Sequence, residues 1–176
     1  MKVILSTVVA VAVASSAVIT QTPPPMKPGP EQKRIGYFAG KWNYQGEAKA
    51  SPLGPVGKLT STDTCEWFAG GFHLVCRNKG TGPRGAATGQ SVTAFDQARK
   101  TYTFNAISSL GDNISVRGQV DGKVWTWTDE MTVDGKPMKI RATVTEDTAT
   151  SYSFKLEASM DGGAMMVIEE GKATKG

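Results

Sequence analysis

Residues 114–144 read ISVRGQVDGKVWTWTDEMTVDGKPMKIRATV. Two Asp-Gly dipeptides, Asp121-Gly122 and Asp134-Gly135, divide this stretch into three runs of alternating apolar and polar residues. Asp-Gly between alternating runs marks a two-residue hairpin turn, because the turn needs backbone conformations that these residues tolerate. A turn on Asp121-Gly122 sets Val120 against Lys123, Gly118 against Trp125, Val116 against Trp127 and Ile114 against Asp129. A turn on Asp134-Gly135 sets Val133 against Lys136, Met131 against Met138, Asp129 against Ile140, Trp127 against Ala142 and Trp125 against Val144. Each turn is located independently, yet both put Trp125 and Trp127 on one apolar face. The other face carries Thr126 and Thr128, with Glu130 opposite Lys139 as expected for a wet surface.

The same texture extends in both directions. Runs rich in Thr, Val and aromatic residues, broken by Gly or Asp-Gly, predict ten strands over 41–50, 58–68, 72–80, 88–95, 101–108, 113–120, 123–132, 136–146, 151–159 and 164–173. A three-residue loop at 147–149 aligns Tyr152, Phe154, Leu156 and Ala158 with Val144, Ala142, Ile140 and Met138. The last strand is ambiguous, since Met165, Met166, Val167 and Ile168 are apolar on both faces. A short helix is expected over 31–38. A long meander with one wet face has to hide its other face and its edges, and closure does both. The expected fold is therefore all-β: a single closed antiparallel up-and-down β-barrel, calycin-like, with a short N-terminal helix. A two-sheet sandwich is the alternative.

The N-terminus reads as a leader. Lys2 precedes an apolar run over 3–13 and small residues at Ala12, Ala14, Ser16 and Ala17, the order of a secretory signal peptide. Residues 1–17 are assigned to that signal, 18–34 to a tether rich in proline (Pro23, Pro24, Pro25, Pro28, Pro30), and 35–176 to the barrel. A periplasmic or secreted location follows. The formal charge of +4, or +3 once Lys2 is removed, is spread over scattered residues such as Arg77, Lys79, Arg99 and Arg141. No basic face with interleaved aromatics marks a nucleic-acid binder. No second apolar span suggests stable membrane insertion, and nothing in the sequence sets an oligomeric state.

Gly40-Lys41-Trp42, a G-x-W on the first strand after a short helix, resembles the signature of lipocalins and other calycin barrels. Together with Gly70-Gly71-Phe72, Ala94-Phe95-Asp96 followed by Tyr102, the Asp-Gly hairpins and the Met-rich last strand, it resembles a bacterial family of exported, calycin-like proteins known as a domain of unknown function (DUF1579). The likeness spans residues 35–175. It implies a barrel and supplies no activity. Phe95 stands where that family usually has Tyr, and Lys172 or Lys175 where it often has Arg; in lipocalins a late Arg covers the G-x-W tryptophan.

Candidate chemistry is sparse. A hairpin turn at Gly70-Gly71 sets Cys65 against Cys76, and in an exported protein a disulfide between them is expected. With a strict two-residue turn this is a hydrogen-bonded pair, whose Cα atoms lie about 5.5 Å apart, so the strands must close in to bring the sulfurs together. His73, the one histidine, is expected on the face opposite Cys65 and Trp67, near the rim or outside. It lacks the partners of a triad, is badly placed as a haem ligand, and with two bonded cysteines does not make a zinc set. No catalytic residue, metal or cofactor is expected. Asp129 falls inward among Ile114, Ile140 and Trp127; Asp63 and Asn78 form a similar inward polar pair. Internal hydrogen bonding is the plainer role for all three. The glycine-rich stretch 80–85 lacks a P-loop ending and reads as a flexible loop or lid.

Ten strands enclose more space than the eight that just hold side chains or one small ligand. The expected cavity lining is Trp42, Tyr44, Asp63, Trp67, Trp125, Trp127, Asp129, Met131, Met138 and Phe154. The first expectation is a binding protein for a small, mostly apolar molecule. The alternative is a structural or envelope-associated interaction domain with a filled interior. An enzyme is disfavoured, because no nucleophile–base pair is visible.

Overall fold

The computed structural model describes residues 26–176. The expected signal segment, its cleavage point and residues 18–25 of the tether lie outside the described residues. A helix, α1 (Pro30–Arg34), begins with Pro at its first position and continues as a 3-10 turn over Ile35–Phe38. The helix thus takes residues that the sequence division gave to the tether. Ten strands follow: β1 (Gly40–Ala48), β2 (Gly57–Trp67), β3 (His73–Gly82), β4 (Gly85–Asp96), β5 (Thr101–Ser108), β6 (Asn113–Asp121), β7 (Val124–Val133), β8 (Lys136–Thr148), β9 (Ser151–Met160) and β10 (Met166–Lys175). Each pairs antiparallel with its sequence neighbours, and β10 returns to β1, closing the barrel. This settles barrel over sandwich.

Register shows where local chemistry decides. Asp134 and Gly135 both adopt positive φ (49° and 77°), and the β7–β8 ladder pairs Trp125 with Val144 and Met131 with Met138 as expected. At the preceding hairpin only Gly122 has positive φ (54°), and Asp121 pairs with Val124. The turn therefore sits on Gly122-Lys123, with glycine at the first central position. Val120 faces Trp125 and Gly118 faces Trp127, two residues off the expected register. A shift of two leaves every side chain on its face, so both indoles still point inward. The β8–β9 ladder slides likewise, pairing Val144 with Phe154, because its turn sits on Ala149-Thr150 and a bulge between Glu146 and Thr148 then restores the alternation. The expected lid at 80–85 does not form. Gly82 pairs with Gly85, so the glycines belong to a continuous hairpin turning on Pro83-Arg84.

Cys65 pairs with Cys76 in register and the two form a disulfide. The expected hydrogen-bonded geometry is corrected. Phe68 N donates to His73 O at 2.8 Å, so hydrogen-bonded pairs fall at Phe68/His73 and, two residues on, Glu66/Val75. The cysteines then occupy the narrow, non-hydrogen-bonded position, with Cα atoms 4.0 Å apart.

One end of the barrel is stoppered. Trp42, Leu74, Tyr102 and Trp125 point inward there and pack beneath Ile35 and Phe38 of the N-terminal segment. Trp42 Nε1 donates to Phe38 O at 2.9 Å. Lys175 Nζ lies 5.1 Å from the centre of the Trp42 ring, so the late basic residue covers the G-x-W tryptophan as lysine instead of arginine. Trp125 Nε1 donates to Glu146 Oε1 at 2.7 Å, and Arg34 Nη2 reaches the same oxygen at 2.6 Å while its guanidinium lies over the Trp125 ring. Glu146 is thus a buried acid with a charged and a neutral donor on one oxygen.

Substitutions at these two places have distinct expected outcomes. Replacing both cysteines by serine should lower unfolding stability by about 3 kcal/mol from loop-closure entropy, read by denaturant titration; intact mass with and without reductant should show the bond. Arg34→Ala strands the Glu146 carboxylate and should cost about 1–3 kcal/mol, with Trp125 becoming accessible to a soluble quencher.

Candidate functional site

Beyond the stopper the inward faces divide by strand. From β5 to β9 they carry Phe104, Val116, Trp127, Ala142, Phe154 and Leu156. From β1 to β4 and on β10 they carry Tyr44, Ser61, Asp63, Asn78, Ser91 and Glu169. One wall is aromatic and aliphatic and the other is polar. Glu169 is absent from the sequence-based lining, because the last strand is apolar on both faces. A bulge between Val167 and Glu169 decides it, setting Glu169 opposite Leu156 on the inner side.

The interior is open to solvent. Asn78 is inward by register, paired with Asp63 and Gly89, yet remains exposed. Ile114 and Met131, also inward, keep 42% and 38% of their surface at the end away from the stopper. Ser91 and Thr93 are 7% and 6% exposed, and neither hydroxyl has a hydrogen-bond partner among the described residues. Every fully enclosed side-chain polar atom there does have one. Both residues have inward register, Thr93 opposite Leu74 of the stopper and Ser91 opposite Cys76.

Polar groups on this wall are held in place. Tyr44 Oη donates to Glu169 Oε1 at 3.3 Å, and Ser61 Oγ donates to Asp63 Oδ1 at 3.0 Å. Gly46 and Gly171 face each other beneath the Tyr44 ring; a Cβ at either would sit 2.6 Å from Tyr44 Oη. The absence of side chains at that pair is what lets the ring lie flat along the wall. Burial pushes the Asp63 carboxyl above the usual range, opposed by the Ser61 hydrogen bond. Burial likewise raises Glu169, opposed by Tyr44. Tyr44 is raised by burial and by Glu169, and Tyr152 by burial and by Asp63, so both phenols stay protonated donors.

The expected lining residues are dispersed along the barrel. Tyr44, Asp63, Trp127 and Phe154 border the hollow. Trp42 and Trp125 belong to the stopper, and Met138 is fully buried in a second apolar cluster with Ala158 and Ile168. Trp67 lies beyond the stopper end, 38% exposed, and Met131 lies at the open mouth. Asp129 faces inward opposite Ile140. The β6–β7 ladder ends at Arg117–Thr128, so Ile114 does not meet it as the sequence suggested. Beside that point a groove of about 800 Å³ runs along the outer face, lined mainly by Thr103, Asn105, Arg117, Thr128, Lys139 and Arg141 and bordered by Asp129 and Ile140. Another groove, of about 610 Å³, crosses the outer face of β1–β4 beside Asn43, Thr60, Thr62 and Lys79. His73 is exposed on the outer face.

The acids allow a signed prediction. A carboxyl whose folded pKa is raised destabilises the fold once pH exceeds its unfolded value near about 4, and below that value the difference vanishes. Asp63→Asn with Glu169→Gln keeps both hydrogen-bond acceptors. The pair should raise the melting temperature by a few degrees at pH 7 and leave it unchanged at pH 3, measured by differential scanning calorimetry.

A family model described as a protein of unknown function (DUF1579) matches residues 27–175. Among solved structures, Rv2717c from M. tuberculosis is similar at 12% identity, covering 84% of this chain and 98% of that one, with a TM-score of 0.58. The S-type phycobiliprotein lyase CPES from Guillardia theta is similar at 9% identity, covering 82% and 90%, with a TM-score of 0.53. A de novo designed fluorescence-activating β-barrel aligns at 15% identity over 81% and 96%, with a TM-score of 0.46. At these identities the likeness is one of fold. No curated protein matches the sequence.

Proposed function

Because the chain belongs to the DUF1579 family, whose description names no activity, we propose its function from the barrel itself: an exported binding protein that takes one small, mostly apolar molecule into its interior. The observation that carries this reading is the exposure of inward residues. Asn78, Ile114 and Met131 face the axis and are still reached by solvent. Phe104, Trp127 and Phe154 offer apolar surface beside a few fixed polar groups, the usual composition of small-molecule sites. Export is supported by the leader-like N-terminal sequence and by the Cys65–Cys76 disulfide, a bond that persists in oxidising compartments. No helix among the described residues is long and apolar enough to cross a membrane.

The second reading, an envelope-associated interaction domain, draws on the exposed apolar residues Leu53, Val56, Ile107, Leu110 and Met166 around the mouth. Native mass spectrometry of protein purified from its own host separates the two. A retained small molecule supports binding, and a retained partner chain supports the alternative. In solution, an extract of envelope lipids should shift the tryptophan emission of the native protein. Trp127→Phe should abolish most of that shift while leaving the fold intact by circular dichroism, since Trp42 and Trp125 report on the stopper. An emission spectrum unmoved by the extract, from a barrel that retains nothing in the mass spectrum, would remove the reading.

A further inference from the structure

We propose that the interior ligand carries a protonated amine at one end of an apolar body, the amine seated on the β1–β4/β10 wall and the body against Trp127, Phe104 and Phe154. This rests on the interior-binding reading and adds the ligand's chemical class.

Charge on the inward faces is unevenly signed. Asp63 on β2, Asp129 on β7, Glu146 on β8 and Glu169 on β10 face the axis. Bases with inward register occur at the two ends of the barrel. Lys175 lies over Trp42 in the stopper, and Lys136 stands exposed at the tip of the β7–β8 hairpin. Arg34, from α1, is consumed by Glu146. Neither Asp63 nor Glu169 has an ion-pair partner among the described residues; their hydrogen bonds come from neutral hydroxyls, Ser61 and Tyr44. The middle of the hollow thus holds acids without compensating cations.

A partly buried carboxylate without a counter-charge is costly, and an incoming cation with hydrogen-bond donors relieves that cost. An anion would meet like charge in a medium that screens poorly. A second observation is independent of the acids. Ser91 and Thr93 are more than nine-tenths buried, lie on the inward face by register, and their hydroxyls lack partners among the described residues. A hydroxyl can donate or accept, so the two can take the N–H groups of an ammonium as they would any polar head. On the opposite wall, Phe104 and Trp127 pack with ring centroids 5.8 Å apart and supply apolar surface for the body.

The test compares three probes of equal length, dodecylamine, dodecanol and dodecanoate, each below its micelle-forming concentration at pH 7, titrated into the purified protein with tryptophan emission as readout. Dodecylamine should bind at least about tenfold more tightly than dodecanol, a margin set by one charge-assisted contact, and dodecanoate should bind most weakly. Asp63→Asn with Glu169→Gln should bring amine and alcohol to within about twofold of each other. Calorimetry checks that the double variant is folded, and the ranking on the wild-type protein stands without it. Dodecanoate binding as tightly as dodecylamine would overturn the amine assignment while leaving interior binding in place. An amine preference unchanged in the folded double variant would overturn the role given to the two acids. Failure of all three probes to bind would overturn both this inference and the reading on which it rests.

Discussion

Pairing of Trp42 with Lys175, continued to Ala48 opposite Glu169, joins the first strand to the last. That ladder is a constraint more than a large energy, since each net hydrogen bond contributes only about 1 kcal/mol. Once β1 and β10 are joined, no strand has a free edge, and alternate residues on all ten strands are committed to the axis or to water. The indoles, the disulfide and the acids of the polar wall all inherit their direction from that commitment. So does the stopper, because a closed cylinder has ends to be filled.

Two ways of handling buried acid coexist in the interior. Glu146, at the stopper, shares one oxygen between Trp125 Nε1 and Arg34, and closes the end of the barrel by doing so. Asp63 and Glu169, deeper in the hollow, are held by neutral hydroxyls over a floor of glycine. The first arrangement neutralises charge for the sake of structure. The second leaves charge uncompensated next to accessible space, which costs stability and makes sense where the missing counterpart arrives from outside.

Much of this architecture is legible in the sequence because period-2 patterning is strong wherever one face is wet. The β7–β8 register holds as read, with Asp134 and Gly135 both at positive φ in the expected turn. The β6–β7 register differs from its reading by two, as Gly122 serves equally well at the second or first central position of the turn. Glu169 is hidden for a different reason: a bulge reverses which side of a strand faces inward, and four consecutive apolar residues leave no alternation to reveal it. The division of the lining into stopper and hollow is also out of reach, because Trp42, Trp125 and Trp127 share one face and differ only in height along the axis.

Both ends of the described chain sit at the stoppered pole. The segment leading to α1 enters there, and Lys175 finishes there beside Trp42. A solid support, a fluorescent fusion or a cell-surface anchor joined directly at either end of the described residues would therefore stand behind the barrel's base. The opposite rim would stay unobstructed, facing away from the attachment, which is the orientation wanted in a capture reagent or an immobilised sensor.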